Sequence, residues 1–138
     1  MKKVTGLGGV FFKTKNPKAA AAWYDAHLGL NFGGSTYQTF KWRDHEDPSV
    51  IGQTVFSVFA DDTTYFAPSE SPFMLNLRVE NLEALLAVLT TEGVEIVGEM
   101  QTYDYGKFAW IRDLDGNKIE LWEAIDEVLE KFDADNKA

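Results

Sequence analysis

Glu120 is the side chain in this sequence best placed to do chemistry. Residues 107–112 and 118–122 are two apolar-alternating runs on either side of Asp113-Leu114-Asp115-Gly116-Asn117, whose Asp, Gly and Asn accept the tight or left-handed backbone of a hairpin turn. Pairing in the simplest register puts Phe108, Trp110, Glu120 and Trp122 on one face, with Ala109, Ile111, Ile119 and Leu121 on the other. The aliphatic face suits packing under helices, and an aromatic face holding one acid suits the lining of a cavity. In that setting Glu120 could act as a general base or meet a cationic or hydrogen-bonding ligand, its pKa raised if Trp110 and Trp122 withdraw it from water. It could equally be salt-bridged to Lys118 or Arg112, or face water on an open sheet.

The other polar candidates carry weaker signals. Strand alternation puts Lys13, Asn76 and Arg78 on the same inward faces as Gly9 and Met74, where they could orient a polar or anionic ligand; Lys13 and Arg78 are read as strand-end residues in solvent. His27 lies near the C-terminus of a helix, where the dipole favours an imidazolium, and is read as structural. His45, within Asp44-His45-Glu46-Asp47-Pro48, is read as part of a solvated turn, because adjacent loop side chains rarely converge on one ion. There is no G-x-G-x-x-G, P-loop or G-x-S-x-G motif. Aromatic residues make up 14% of the chain, and Tyr37, Phe40, Trp42, Phe56, Tyr103 and Tyr105 supply rings beyond what helix-covered faces need.

Composition narrows the function classes. A net charge of -9 argues against nucleic acid, which needs clustered Lys and Arg, while leaving cationic ligands allowed. No apolar run approaches the ~18 residues of a membrane span. The basic start is interrupted by Gly6, Gly8, Gly9 and Lys13, so it does not read as a signal peptide. Zero cysteines exclude disulfides, thiolate metal sites and cysteine nucleophiles, and fit a cytoplasmic protein.

The elements that position Glu120 form a repeat. Residues 7–14 read as a strand with Val10 and Phe12 on one face and Gly9, Phe11 and Lys13 on the other. Asn16-Pro17 opens a helix that Gly29 stops, and strands follow at 36–43 and 54–59. Residues 72–80 begin the pattern again: a strand, Asn81 as N-cap, a leucine-rich helix, and a stop at Gly93. Asn16 to Gly29 spans 13 residues and Asn81 to Gly93 spans 12, which marks an internal duplication of a β-α-β-β-β unit, its last strand clearest in the second copy. After Trp122, the spacing of Ile125, Val128, Leu129 and Phe132 predicts a docked helix, with fraying from Asp133.

These features resemble the vicinal oxygen chelate superfamily, also called glyoxalase/bleomycin resistance/dioxygenase proteins. The resemblance rests on the paired modules, on Trp23-Tyr24 followed by His27-Leu28-Gly29, and on the segment Arg112 to Leu121, which is similar to the family's D-P-D-G-x-x-I-E-L signature with Leu114 in the Pro position. It implies an α+β fold: two βαβββ modules (about 5–60 and about 72–123) whose curved mixed sheets form a shared cup, helices outside and a C-terminal helix over about 124–133, all in a single domain of residues 1–138. It implies a divalent metal on four side chains in the metal-dependent members, at positions that fall here on Gly9, Ser57, Met74 and Glu120. Only Glu120 is a suitable ligand, so neither metal nor other cofactor is expected.

The leading expectation is a small-molecule binder with an aromatic-lined cup formed by Phe11, Trp42, Phe56, Met74, Asn76, Phe108, Trp110 and Trp122. A lyase, isomerase or dioxygenase using Glu120 as catalytic base or metal ligand is the alternative. A third reading is a partner-binding protein whose interior is filled by Phe11, Met74, Phe108 and Trp110. The expected partners are a small molecule and a second copy of the chain in a homodimer, not nucleic acid or membrane.

Overall fold

Two asparagines start the two helices on which the sheet is built. The Asn16 side chain accepts from the Ala19 amide at 3.1 Å and starts α1 (Pro17–Leu28); Asn81 does the same for Ala84 at 3.1 Å and starts α2 (Leu82–Thr91). Gly29 ends α1 in the left-handed conformation (φ 65°). The computed structural model describes residues 3–129. Its strands are β1 (Val4–Thr14), β2 (Tyr37–Arg43), β3 (Ile51–Ala60), β4 (Phe73–Val79), β5 (Gln101–Tyr103), β6 (Gly106–Arg112) and β7 (Lys118–Ala124). Residues 126–129 are helical, in agreement with a C-terminal helix, while Phe132 and Asp133 lie outside the described residues. No described helix is long and apolar enough to cross a membrane.

The strands form one curved, open sheet in the order β2-β3-β1-β4-β7-β6-β5. β1 pairs with β3, and β4 with β7, in parallel; every other pairing is antiparallel. The two modules are therefore joined edge to edge through β1 and β4 within one chain. The first module lacks a strand between α1 and β2. Its segment carries Gly29, Asn31, Gly33 and Gly34 at positive φ, and a backbone that turns left-handed at four positions cannot extend into a strand.

Alternation then sorts the side chains. The outward face of β4, β6 and β7 meets α2: Leu82 and Leu85 pack against Val79, Ala109, Ile119 and Leu121. The outward face of the first module is aromatic, with Phe12, Tyr24 of α1, Phe32 and Phe56 in mutual ring contact. The hairpin register is the one the sequence predicts, since Phe108 faces Trp122, Trp110 faces Glu120, Ala109 faces Leu121 and Ile111 faces Ile119.

Urea unfolding followed by circular dichroism should show a loss of about 0.5–2 kcal/mol for Asn16→Ala and for Asn81→Ala, and about 2–5 kcal/mol for Leu85→Ala. A Leu85→Ala variant within 0.5 kcal/mol of the parent, a surface-like effect, would show that α2 is not seated on the sheet.

Candidate functional site

The duplication fixes which residues are equivalent on the inward face. Phe11 and Asn76 each lie five residues before their helix N-caps. Across the seam Gly9 pairs with Asn76 and Phe11 with Met74, as a twofold relation requires. Phe11 pairs with Ser57 on β3, and Asn76 pairs with Glu120 on β7, so Ser57 is the counterpart of Glu120. Gly9, Ser57, Met74 and Glu120 thus occupy corresponding inward positions in the two halves.

Glu120 is 2% exposed, and its carboxylate is held by three donors from separate parts of the chain. Asn76 of β4 donates its amide N–H to Oε1 at 2.6 Å. Trp110 of β6 donates its indole N–H to Oε2 at 2.9 Å, and the Tyr65 hydroxyl, from the 61–72 connection, donates to the same oxygen. Burial nonetheless dominates and raises the Glu120 pKa above its ordinary value, against the lowering effect of these donors and of the Lys118 charge. The Tyr65 hydroxyl is held as the neutral phenol, first by burial and then by the neighbouring Glu120 charge. Lys118 donates to the Tyr65 carbonyl at 2.7 Å and lies 5.4 Å and 5.5 Å from the ring centroids of Tyr65 and Trp110.

The 61–72 connection also fills the middle of the cup. Phe66 is fully buried against Phe11, Phe59 and Met74, with the Phe59 ring stacked on Tyr65 at 5.7 Å. A cavity of about 310 Å³ stays open beside it, lined by Tyr65, Tyr103, Tyr105, Phe108 and Trp110. The sequence brings Phe108 and Trp110 to it, and Tyr103 and Tyr105 belong to the aromatic supply noted above. Tyr65 and Phe66 escaped sequence analysis because they sit in a connection without periodicity. Two adjacent aromatic residues in so polar a segment, Asp61-Asp62-Thr63-Thr64 before and Pro68 after, were the available signal.

The remaining expected cup residues go elsewhere. Phe11 and Met74 are packed shut under Phe66, and Asn76 is buried as the Glu120 donor. Trp122 lies behind Phe108, stacked at 5.6 Å, rather than on the cavity wall. Phe56 faces α1, because its neighbour Ser57 faces inward and consecutive strand residues point to opposite sides. Trp42 covers the backbone of Gly6 and Gly52 and lines a different recess, of about 380 Å³, with Arg43 and His45. Arg78 is not in solvent: it is 8% exposed, stacked between the Trp42 and Trp122 rings at 5.3 Å and 5.1 Å, and salt-bridged to Asp126 at the start of the C-terminal helix. Its guanidinium is matched to flat rings in a way an ammonium would not be. Neither proposed salt bridge to Glu120 forms: Arg112 pairs with Glu95 at 3.8 Å, and Lys118 takes the Tyr65 carbonyl. His27 packs on Trp23, and the 44–47 turn closes through Asp44 Oδ1, which accepts from the Glu46 and Asp47 amides.

With this geometry in place, the comparisons with known proteins agree. Residues 6–121 match the family model for the Glyoxalase/Bleomycin resistance protein/Dioxygenase superfamily, and the chain belongs to that family. Among solved structures it is similar to methylmalonyl-CoA epimerase from Mycobacterium tuberculosis (21% identity, 94% of this chain and 95% of that one, TM-score 0.60). It is also similar to a Streptomyces coelicolor methylmalonyl-CoA epimerase in complex with 2-nitronate-propionyl-CoA (15%, 88% and 99%, TM-score 0.65). A third likeness is to the Mn(II)-bound glyoxalase from Novosphingobium aromaticivorans (17%, 89% and 40%, TM-score 0.56). At these identities the likeness concerns the fold. No curated protein matches the sequence.

The four positions that the resemblance assigns to a metal do not make a suitable donor set. A Cβ added at Gly9 would meet the Phe11 ring at 2.7 Å, so that ring already fills the space a ligand side chain would take. Met74 offers a soft thioether sealed under Phe66, and the Ser57 hydroxyl donates to the Thr36 carbonyl at 3.3 Å. Both Glu120 oxygens are engaged. Among the described residues, no three His, Asp or Glu side chains gather as a metal cluster.

A raised carboxyl pKa means that the folded state binds this proton more tightly than the unfolded chain does. The resulting stabilisation is complete below the ordinary value of 4.5 and is lost as pH rises through the folded-state pKa. The difference in urea midpoint between the parent and Glu120→Gln should therefore move in favour of the parent as pH is lowered from neutral. A difference that does not change with pH would show that Glu120 titrates as it does in the unfolded chain.

Proposed function

We propose that this protein binds an apolar, ring-containing small molecule in the recess formed by Tyr65, Tyr103, Tyr105, Phe108 and Trp110, and that it does so without a divalent metal. One observation carries the reading: the inward face holds an open recess of about 310 Å³ walled by five aromatic rings, while the Phe11 ring fills the space at Gly9 and Phe66 packs over Met74. Such a recess favours ligands that bury apolar area against rings, with few polar groups to fix orientation. The zero-cysteine composition and acidic charge fit a cytoplasmic protein. Pairing of β1 with β4 builds the cup within one chain, so a homodimer would serve to cover the edge strands β2 and β5.

The alternative, an enzyme with Glu120 as general base, is favoured by the raised pKa of a carboxyl beside the recess. In that reading Tyr65 has to leave Oε2 before a substrate proton can approach within the ~2.6–3.2 Å that transfer needs.

Tryptophan fluorescence titrated with a panel of small aromatic compounds should give saturable binding, weakened about tenfold or more by Phe108→Ala through loss of ring contact. Elemental analysis of untagged protein incubated with Mn, Fe, Co, Ni and Zn and then desalted should return background metal. Near-stoichiometric metal lost in Glu120→Gln would overturn the metal-free reading, and turnover abolished by the same substitution would move the protein to the enzymes.

A further inference from the structure

The recess has a more selective chemistry than its apolar character implies. Tyr103 and Tyr105 stack almost parallel, 5.4 Å apart at 7°, too close for another ring to enter between them. Phe108 stands across both, at 62° and 69° with centroids 5.9 Å and 5.8 Å away, and Trp110 stands across Tyr65 at 86°. Walls that meet at steep angles offer several faces and edges to one compact group, whereas a planar ligand would match a slot between parallel faces.

The charges around the recess point the same way. No Lys or Arg is among the lining residues. Two of the five rings, Tyr65 and Trp110, donate hydrogen bonds to the Glu120 carboxylate, so a negative group stands directly behind that wall. Asp104 lies between the two stacked tyrosines in the chain, and the whole protein carries -9. Lys118 already sets an ammonium against Tyr65 and Trp110, at 5.4 Å and 5.5 Å from their centroids. Those rings therefore serve as hosts for a cation, and a second one is kept by repulsion to the Tyr103, Tyr105 and Phe108 side. A ligand ammonium bearing N–H groups is strongly hydrated and would have to find an acceptor for each N–H, for which the ring faces themselves serve poorly. A quaternary ammonium needs none, is weakly hydrated, and draws its binding from ring faces.

Resting on the reading of this recess as the ligand site, we propose that it is a cage for a small-molecule quaternary ammonium group, with Tyr103, Tyr105 and Phe108 as the principal faces. The test is a paired titration of the full chain with phenyltrimethylammonium and with tert-butylbenzene, its uncharged counterpart of nearly the same shape. Tryptophan fluorescence and the Trp110 indole N–H resonance report occupancy.

The cation should bind about tenfold or more tightly than the neutral compound. Tyr103→Phe, which retains the ring, should keep that preference, and Tyr103→Leu should lose most of it. Tyr103 is 48% exposed at the sheet edge, and a folded far-ultraviolet spectrum confirms that a loss of preference is local. Equal or tighter binding of tert-butylbenzene would overturn the cation cage and leave the apolar ligand site standing. Binding of neither compound would overturn both.

Discussion

A carboxylate withdrawn from water has to be met by donors, and the fold of this protein is arranged around that requirement at Glu120. The donors come from β4, from β6 and from the connection between the two modules, three parts of the chain that share no local structure. Each bond to a charged group is worth about 1.5–3 kcal/mol, and removing one partner leaves the charge exposed to its desolvation penalty. Asn76 reaches Glu120 because their strands pair in parallel at that residue, and Trp110 because the hairpin register places it directly opposite. Tyr65 arrives with Phe66, so the same connection that completes the hydrogen bonds also closes the interior over Met74 and Phe11. The interior of the cup is thereby a packed core with an aromatic recess at one side.

How much of this was legible depended on whether the signal was local. Both helices, their asparagine caps and the hairpin register follow from spacing and alternation within a few residues, and the structure reproduces them. The inward faces of β1 and β4 could be read for the same reason. β3 was different: no helix anchors it, so its parity was undetermined. Assigning both Ser57 and Phe56 to the cup asks two consecutive strand residues to face one side, and the register with β1 decides for Ser57. Arg78 was misplaced because its partners, Trp42, Trp122 and Asp126, are distant in sequence. Tyr65 and Phe66 belong to the same class, since a connection takes its position from what it packs on and carries no period of its own.

Close backbone approach explains a further asymmetry between the two halves. Gly8 and Gly9 on β1 let the Asn76 amide and the Phe11 ring lie against the strand, where a Cβ at Gly8 would come within 2.0 Å of Asn76 Oδ1. The corresponding part of β4 carries Met74, a full side chain. The duplicated halves therefore meet at the seam as a smooth surface against a filled one, and only the second half contributes a carboxylate to the interior.

Trp110 and Tyr65 each belong to two structures at once, as walls of the recess and as donors to Glu120. Occupancy of the recess and the protonation of that carboxyl are consequently linked quantities, and linkage is reciprocal. Were the recess to take a guest at a pH where that carboxyl is part-protonated, a cationic guest would favour the ionised form and release a proton, whereas a neutral guest that only deepens the burial would take one up. At such a pH the heat of binding would carry a contribution from the ionisation enthalpy of the buffer, of opposite sign for the two kinds of guest.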